Sequence, residues 1–324
     1  MAERIASLLP SATEILCALG LADRLVGVSH ECDFPPEMAG RAVLTEPKLD
    51  PRGSSAAIDA TVRGLVAEGL SVYRIRTDEL CAARPDLIVT QQQCEVCAVS
   101  LTEVEAAARA VLGAPAAIVS LQANRLDDVF DDFARVAEAT GTGDAGAQLI
   151  ARGRERLERI GRRLGRARSR PRVACIEWLD PLMVAGNWVP ELVQLAGGTY
   201  GLVAPGEHSR ALDWDDLVAY APDVVILMPC GFALEQTRRE LPRLTARAEW
   251  LKLPAVRNRR AYSVDGNAYL NRPGPRIVDS AELLAGLIQP GHAASLIPPG
   301  SWEPVETDWR RAAYDTERSV AERR

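Results

Sequence analysis

The longest helical pattern in the chain runs from Asp144 to Arg168, near the middle of the sequence. Apolar residues recur there every three or four positions, which places them on one stripe of a helix. Its other faces are mostly arginine. The pattern predicts a long amphipathic helix, which either connects two lobes or lies within one larger α/β domain. The apolar positions are Ala147, Ile150, Leu157, Ile160 and Leu164.

Short apolar runs alternate with helical patterns on both sides of this helix. The alternation indicates parallel sheets that are covered by helices on both faces. The run Ser11–Glu14 matches a capping box, which predicts the start of the first helix there. The predicted strands are Ile5–Leu9, Arg24–Ser29, Ala42–Leu44, Val72–Ile75, Asp86–Thr90 and Ala117–Leu121 before the long helix, and Arg172–Ile176, Leu182–Ala185, Val224–Met228 and Ala261–Val264 after it.

A shared pattern supports two lobes of similar build. Arg84–Val89 and Ala221–Ile226 both read as a helix end, a proline, an aspartate and a buried strand. Proline, glycine and charge dominate near the end of the chain, so we expect a loosely packed tail there. The expected domains are an N-terminal α/β lobe at residues 1–141, the connecting helix at 142–169, a C-terminal α/β lobe at 170–290 and the tail at 291–324.

Composition excludes some classes of protein. Of the 324 residues, 47% are hydrophobic and 25% are charged, as in ordinary globular proteins. No apolar run reaches the roughly 18 residues of a transmembrane helix. The net charge of -6 argues against nucleic acid as a partner. The opening residues lack the long apolar stretch of a secretory signal, so we expect a cytoplasmic protein, unless a leader has been removed.

Polar and aromatic residues gather just after the predicted strands of both halves. In open α/β sheets, ligands bind beyond the carboxyl ends of the strands. We therefore predict a ligand site in a cleft between the lobes. Trp178 offers a flat surface for a large planar ligand, and packing within the protein is the alternative. The candidate ligand-binding residues are His30, Glu31, Cys32, Gln91, Cys94, Glu95, Trp178, Asp180, His208, Cys230, Asp265, Asn267 and Tyr269.

One interpretation of the cysteines and histidines among these residues is a metal site, because thiolate and imidazole suit zinc, copper or iron. A second interpretation is a redox role for Cys97, which lies just before a predicted helix, where a thiol pKa is lowered. A third is that the cysteines line the ligand or pack as small apolar residues. The seven cysteines are an odd number, which argues against a fully disulfide-bonded domain. The candidate metal ligands are Cys94, Cys97, Cys32, His30, His208 and Cys230.

The only basic concentration in the sequence is the set of ten arginines between Arg152 and Arg172. The simpler interpretation is a solvated helix face, on which the arginines pair with Glu155 and Glu158. The alternative is a docking surface for a partner protein.

Several stretches resemble one family. The opening Arg4–Glu14, followed by Val26–Ser29 and Asp33–Pro36, is similar to the substrate-binding proteins of ABC importers for vitamin B12 and ferric siderophores. The similarity covers about Arg4 to Leu287 and is strongest to members described as cobalamin-binding. Further stretches that fit the same pattern are Arg84–Val89, Trp188–Gly198 and Arg272–Arg276.

The resemblance implies an α/β fold of two Rossmann-like lobes with parallel sheets, joined by one long backbone helix. It implies a ligand held between the lobes and little hinge motion, because a helix resists bending. It also implies that Trp178 occupies an aromatic position of the cleft. The loops that match the cleft loops of the family are Ser29–Phe34, Gln91–Glu95, Glu177–Asp180 and Asp265–Tyr269.

We therefore expect a non-catalytic solute-binding protein that holds a cobalamin-like corrinoid or another metal chelate in the interlobe cleft. Its partners would be the small-molecule ligand and an ABC permease, with no nucleic acid, and the protein would act as a monomer. A transition metal bound by the cysteines and histidines would be an additional cofactor. The alternative is an intracellular metal- or thiol-dependent enzyme that uses the same side chains. Members of the family are usually exported to the periplasm or to the outer face of the membrane.

Overall fold

The chain has an α/β fold in a computed structural model that describes residues 2–68, 70–92, 101–112 and 116–307. It forms two compact units, and each contains its own sheet. Among the helices of the described residues, none has both the length and the apolar composition of a membrane-spanning segment. Unit 1 consists of Met1–Gly53, Ala57–Arg156 and Arg272–Arg276, and unit 2 consists of Ser54–Ala56, Leu157–Asn271 and Ile277–Arg324.

Unit 1 is organised around a parallel sheet. Its described strands are β1 (Ile5–Ser7), β2 (Leu25–Gly27), β3 (Thr45–Pro47), β4 (Tyr73–Ile75), β5 (Leu87–Gln91) and β6 (Ala117–Leu121). The order β2-β1-β5-β6 places β1 and β5 in the centre, and each neighbouring pair is parallel. Both central strands are buried along their whole length, as expected when helices cover both faces. The strands β3 and β4 form a separate antiparallel pair.

Most helices of unit 1 pack against strands of its sheet. The helices are α1 (Pro10–Ala18), α2 (Ser55–Ala67), α3 (Thr77–Ala83), α4 (Leu101–Leu112) and α5 (Leu126–Thr140), with 3-10 turns at Ala22–Arg24 and Pro36–Met38. The exception is α2, whose first two residues belong to unit 2 and which is largely exposed. On one face of the sheet, the core brings together Leu8, Leu44, Leu80, Ile88 and Val104, all at most 2% exposed. At roughly 1.5–3 kcal/mol per fully buried aliphatic side chain, this burial is the main stabilising term.

The predicted capping box at Ser11–Glu14 is wrong. The first helix begins at Pro10, which needs no hydrogen bond from its nitrogen in the first turn. Leu9 occupies the N-cap and makes no side-chain cap. Glu14 therefore lies within the helix, where it is 3% exposed and is free to pair with arginines elsewhere in unit 1.

Unit 2 is organised around a mixed sheet. Its described strands are β7 (Val173–Leu179), β8 (Leu182–Val184), β9 (Arg210–Ala211), β10 (Val224–Leu227), β11 (Ala261–Val264) and β12 (Trp302–Pro304), in the order β12-β11-β10-β7-β8-β9. The central strands β7, β10 and β11 are parallel, as predicted. The strands at both edges are antiparallel to their neighbours, which the alternating pattern did not indicate.

The helices of unit 2 follow its strands in the alternation that the sequence predicts. They are α7 (Val189–Leu195), α8 (Trp214–Tyr220), α9 (Leu234–Thr245), α10 (Ala248–Lys252), α11 (Pro254–Arg257), α12 (Ile277–Ile288) and α13 (Pro290–Ala293), with a 3-10 turn at Ala294–Leu296. Ten of the twelve residues of α12 are buried, so this helix is central to the core of the unit.

The long helix α6 (Gly143–Leu164) runs from one unit into the other, and the division between the units falls after Arg156. It ends four residues before the predicted limit, at the position followed by Gly165. Leu157, Ile160 and Leu164 from the predicted apolar stripe are buried. The predicted fold class is confirmed: two Rossmann-like α/β lobes with parallel strands at their centres, joined by one long backbone helix.

The expectation of a loosely packed tail is wrong for residues 290–305. These residues form α13, a 3-10 turn and β12, which pairs with β11 through Val264 and Trp302. Gly286 in α12 lets this segment approach closely, since a Cβ there would lie 2.2 Å from Cγ1 of Ile297. Residues 308–324 lie outside the described part of the chain. The predicted limits of the lobes stay predictions.

Candidate functional site

The first group of candidate residues follows β2 at the carboxyl edge of the sheet in unit 1, the edge at which its parallel strands end. Val28 exchanges backbone hydrogen bonds with residues 42 and 44, and this brings Thr45 beside the loop that begins at Ser29. His30 donates its backbone N–H to Thr45 Oγ1 at 3.1 Å, and its ring Nδ1 lies 2.7 Å from the same oxygen. Thr45 in turn donates to Ser29 Oγ at 3.0 Å. Burial lowers the pKa of His30, and nearby Glu46 opposes this only in part.

Glu31 and Tyr73 form the next contact of this loop. The Tyr73 hydroxyl donates to Glu31 Oε1 at 2.7 Å, and the Tyr73 ring packs against His30 with centroids 5.0 Å apart. Burial raises the pKa of Glu31, although the hydrogen bond from Tyr73 and the charge of Arg272 act in the opposite direction. The position of Tyr73 on β4, more than forty residues along the chain, explains why sequence spacing did not indicate this contact.

Cys32 is held in its loop by a hydrogen bond. Its Sγ lies 3.0 Å from Thr13 Oγ1, and burial raises its pKa to about 12. Cys32 is only partly exposed. Its predicted roles as a ligand-binding residue and as a metal ligand stay predictions.

A largely buried cluster of charged side chains contacts the same loop. Sequence reasoning did not predict this cluster. Arg276 donates to both carboxylate oxygens of Glu14, at 2.6 and 3.0 Å. Arg272 donates to Asp33 Oδ1 at 2.5 Å and to the backbone oxygen of Glu31 at 3.2 Å. Glu14 and both arginines are largely buried. The only signal was that these residues lie in stretches that carried the family resemblance.

The second loop of this edge follows β5. Gln91 ends the strand and is only 8% exposed, so it lies within the unit rather than on an open surface. Cys94, Glu95 and Cys97 lie outside the described residues, and their predicted roles stay predictions.

In unit 2, Trp178 stands near the carboxyl end of β7 in a fixed position. Its indole N–H donates to the backbone oxygen of Ser55 at 3.1 Å. Its ring meets the ring of Phe232 edge to face, with centroids 5.2 Å apart. Ser55 is held in turn by Glu240, which accepts from its N–H and its hydroxyl. Trp178 remains half-buried, so part of the ring surface is accessible.

Glu177 lies next to Trp178 and holds the loop that carries His208. Its Oε2 accepts a 2.7 Å hydrogen bond from the Ser209 hydroxyl, which itself accepts from the N–H of Gly186. Gly186 permits this close contact, because a Cβ there would lie 2.3 Å from the backbone oxygen of Glu207. Burial raises the pKa of Glu177 to about 7. His208 itself is exposed.

The loops after β10 and β11 meet the end of β7 at one edge of the unit 2 sheet. The backbone N–H of Cys230 donates to the oxygen of Glu177 at 3.1 Å, and that of Asn267 donates to the oxygen of Phe232 at 3.1 Å. Asp265 uses its carboxylate within its own turn, where it accepts from the N–H groups of Asn267 and Ala268.

The remaining candidates of unit 2 are less enclosed. Tyr269 is half-buried and donates its backbone N–H to Asp265. Asp180 is exposed in the turn between β7 and β8. The carboxyl edge of unit 2 thus brings together the loops that carry Trp178, Cys230 and Asn267. Sequence reasoning missed Phe232, Ser55 and Ser209, because these partners come from distant parts of the chain.

Within the described ranges, no three histidine, cysteine, aspartate or glutamate side chains form a group that could hold a metal ion. The predicted metal ligands in these ranges, which are His30, Cys32, His208 and Cys230, therefore do not form such a group among themselves or with other described residues. A set completed by Cys94 and Cys97 lies outside those ranges, and the protein-bound transition metal stays a prediction.

The fold and the arrangement of loops at the strand ends agree with one family. The family model described as "Periplasmic binding protein" matches residues 5–268, and the chain belongs to this family. The family consists of non-catalytic solute-binding proteins of ABC transporters, which bind small ligands and deliver them to a permease. The alternative of a metal- or thiol-dependent enzyme is therefore not supported. Members are typically exported.

Particular relatives indicate the kinds of ligand found in the family. The chain is 24% identical over 285 residues to the vitamin B12-binding protein of Vibrio cholerae serotype O1. The aligned region covers 87% of each of the two chains. A periplasmic heme-binding protein from Roseiflexus sp. RS-1 has a similar fold, with a TM-score of 0.67, 23% identity, and coverage of 90% of this chain and 100% of that chain. The solved structure of the Vibrio cholerae periplasmic vitamin B12-binding protein gives a TM-score of 0.65 at 21% identity, over 89% of this chain and 97% of that chain.

Proposed function

We propose that this protein binds a corrinoid of the cobalamin type at the carboxyl-edge loops of its α/β units and passes it to an ABC permease. The observation that carries the proposal is Trp178, a half-buried indole held in place at the end of β7 by Ser55 and Phe232. A fixed aromatic surface favours binding of a large, flat ligand, because little conformational entropy is lost when the ligand packs on it.

A corrinoid is preferred over other chelates on two grounds. Relatives that match most of this chain include the vitamin B12-binding proteins of Vibrio cholerae and Vibrio parahaemolyticus. The candidate loops also offer half-buried polar groups, such as the Glu31–Tyr73 pair and the turn at Asp265, and hydrogen-bonding groups of this kind suit the amide side chains of a corrinoid. Heme is the competing ligand, since proteins of similar fold bind it.

The permease is proposed as the partner because the family works in ABC transport. The predicted common cleft stays a prediction. The monomeric state and the cytoplasmic location also stay predictions; analytical ultracentrifugation tests the first of these two, and cell fractionation tests the second. The protein needs no catalytic group for this role, so its affinity and release rate define its activity.

The experiment is a calorimetric titration of the full chain with aquacobalamin and, separately, with hemin. We expect the corrinoid to bind more tightly than hemin. Trp178→Ala should weaken corrinoid binding by roughly tenfold or more, as for a central aromatic contact. The matched control is Trp214→Ala, which removes another half-buried tryptophan of unit 2 that packs against Arg247.

Three results would count against the proposal. Binding of hemin but not of corrinoid would show that the protein is a heme-binding member of the family. Equal losses in Trp178→Ala and Trp214→Ala would show that the effect comes from general destabilisation. Absence of binding by both ligands would reject a macrocyclic chelate as the substrate class.

A further inference from the structure

We propose that His30 coordinates the metal of the bound chelate, with its Nε2 lone pair as an axial ligand. The inference rests on the proposed function and narrows it. It selects chelates whose metal has an exchangeable axial position, such as aquacobalamin or ferric heme, over chelates in which every position is firmly occupied. The sequence alone does not distinguish His30 from the other histidines and cysteines that are candidate metal ligands. The hydrogen bonds of His30 in the structure do distinguish it.

The hydrogen bonds around Thr45 assign the tautomer of His30. Thr45 Oγ1 has a single proton, and it donates that proton to Ser29 Oγ at 3.0 Å. The same oxygen lies 2.7 Å from Nδ1 of His30 and must accept there, so Nδ1 carries the hydrogen. In a neutral imidazole this leaves Nε2, on the other side of the ring, as the basic nitrogen.

The ring is fixed in orientation yet accessible. Thr45 holds one edge, and Tyr73 packs against the ring at a centroid distance of 5.0 Å. His30 is half-buried, and no hydrogen-bond partner of Nε2 is found in the part of the chain that the structure describes. A polar partner on the second nitrogen is the usual support of a metal-binding histidine.

The other described candidates lack this combination. The Sγ of Cys32 is already engaged by Thr13 Oγ1, at 3.0 Å. His208 is exposed, and no hydrogen bond of its ring orients it in the described structure. Cys230 contributes its backbone N–H to the fold of its loop. Among the candidates in the described part of the chain, His30 thus combines a fixed orientation with an accessible ring nitrogen.

The binding step is a simple ligand exchange. The bond between the metal and its axial water breaks, and a bond from Nε2 to the metal forms. Water is released, the oxidation state of the metal does not change, and no proton is transferred. Cyanocobalamin should therefore bind without this step, because its cyanide leaves far less readily.

The test is visible absorption spectroscopy of the full chain mixed with aquacobalamin, and with hemin in a second arm. The wild-type protein should shift the absorption bands of the bound chelate towards those of its imidazole complex, and cyanocobalamin should show no such shift. His30→Ala should abolish the shift. The control His292→Ala, which removes an exposed histidine on α13, should leave it unchanged. Thr45→Val should weaken binding of aquacobalamin by roughly tenfold, the usual loss when a supporting partner of a metal-binding histidine is removed.

Retention of the full shift in His30→Ala, or binding by the wild type without any shift, would overturn the proposal. The second result would leave the proposed chelate-binding function intact, whereas no binding of any chelate would reject both. A measurement without ligand gives a separate check: ¹⁵N NMR of the ring nitrogens should show the Nδ1–H tautomer in the wild type and a mixture in Thr45→Val. An Nε2–H tautomer in the wild type would also overturn the proposal.

Discussion

Buried and half-buried carboxylates define the chemistry of this protein at the scale of single residues. Glu14 forms ion pairs with Arg272 and Arg276. Glu31 accepts a hydrogen bond from Tyr73, and Glu177 accepts one from Ser209. Burial raises the pKa of all three carboxyl groups. Each holds a loop at the carboxyl edge of its sheet, so these residues fix the loops to which we assign ligand binding.

Glu177 should make stability depend on pH. Its pKa rises from 4.5 to about 7 on folding, so the folded protein binds a proton more tightly than the unfolded chain. The contribution of Glu177 is complete below the unfolded pKa and is lost as pH rises through the folded pKa. Glu177→Gln keeps an acceptor for Ser209 but cannot titrate. We therefore measure the urea concentration at the midpoint of unfolding as pH rises from 5 to 8. We expect this concentration to fall less for Glu177→Gln than for the wild type.

The control for this prediction is Asp180→Asn, which removes the same charge from an exposed residue three positions away. Its pH dependence should match the wild type. A decline in Glu177→Gln as steep as in the wild type would show that Glu177 does not titrate in this range.

Glu14 should be a major source of stability in unit 1. Glu14→Ala removes the carboxylate that accepts two hydrogen bonds from the largely buried guanidinium of Arg276, and breaking a buried pair in this way costs about 3–5 kcal/mol. Urea denaturation measures the change in the free energy of unfolding. Glu37→Ala, at an exposed position of the same unit, should change it by about 0.5 kcal/mol or less. Similar values for the two variants would contradict the role of the ion cluster.

At the scale of elements, sequence patterns predicted regular, central structure well and edges poorly. The long helix and the central parallel strands follow from apolar periodicity, because burial alone determines them. The antiparallel strands β8, β9 and β12 are short, and their pairing is decided by neighbours far along the chain. The composition of residues 290–305 indicated a tail, yet close packing at Gly286 holds the segment in unit 2.

Two glycines in helices test this packing. Substitution of glycine by alanine in a helix normally stabilises by about 1 kcal/mol. Gly161→Ala in α6 should show this gain, since a Cβ there meets nothing within 4 Å. Gly286→Ala in α12 should instead destabilise, because its Cβ would lie 2.2 Å from Ile297 Cγ1 and 3.1 Å from the oxygen of Ala293. Thermal unfolding of both variants measures the difference, and stabilisation of Gly286→Ala would contradict the packed segment.

At the scale of the whole molecule, the sequence predicted the fold class and the family, but it predicted the site only as a set of loops. Strand-end positions indicated where Trp178, Cys230 and Asn267 would gather, and the loops of unit 2 do meet there. The roles of side chains depended on partners that spacing does not reveal. Thr45 orients His30, Thr13 forms a hydrogen bond with Cys32, and Ser55 positions Trp178.

The central claim is that this member of the family binds a corrinoid, and equilibrium dialysis of the full chain against aquacobalamin tests it most directly. We predict saturation at one corrinoid per chain, with a rise in the unfolding temperature that grows with ligand concentration, equivalent to about 2.7 kcal/mol at one hundred times Kd. No retained corrinoid and no change in unfolding temperature, while hemin or a ferric siderophore binds under the same conditions, would contradict it.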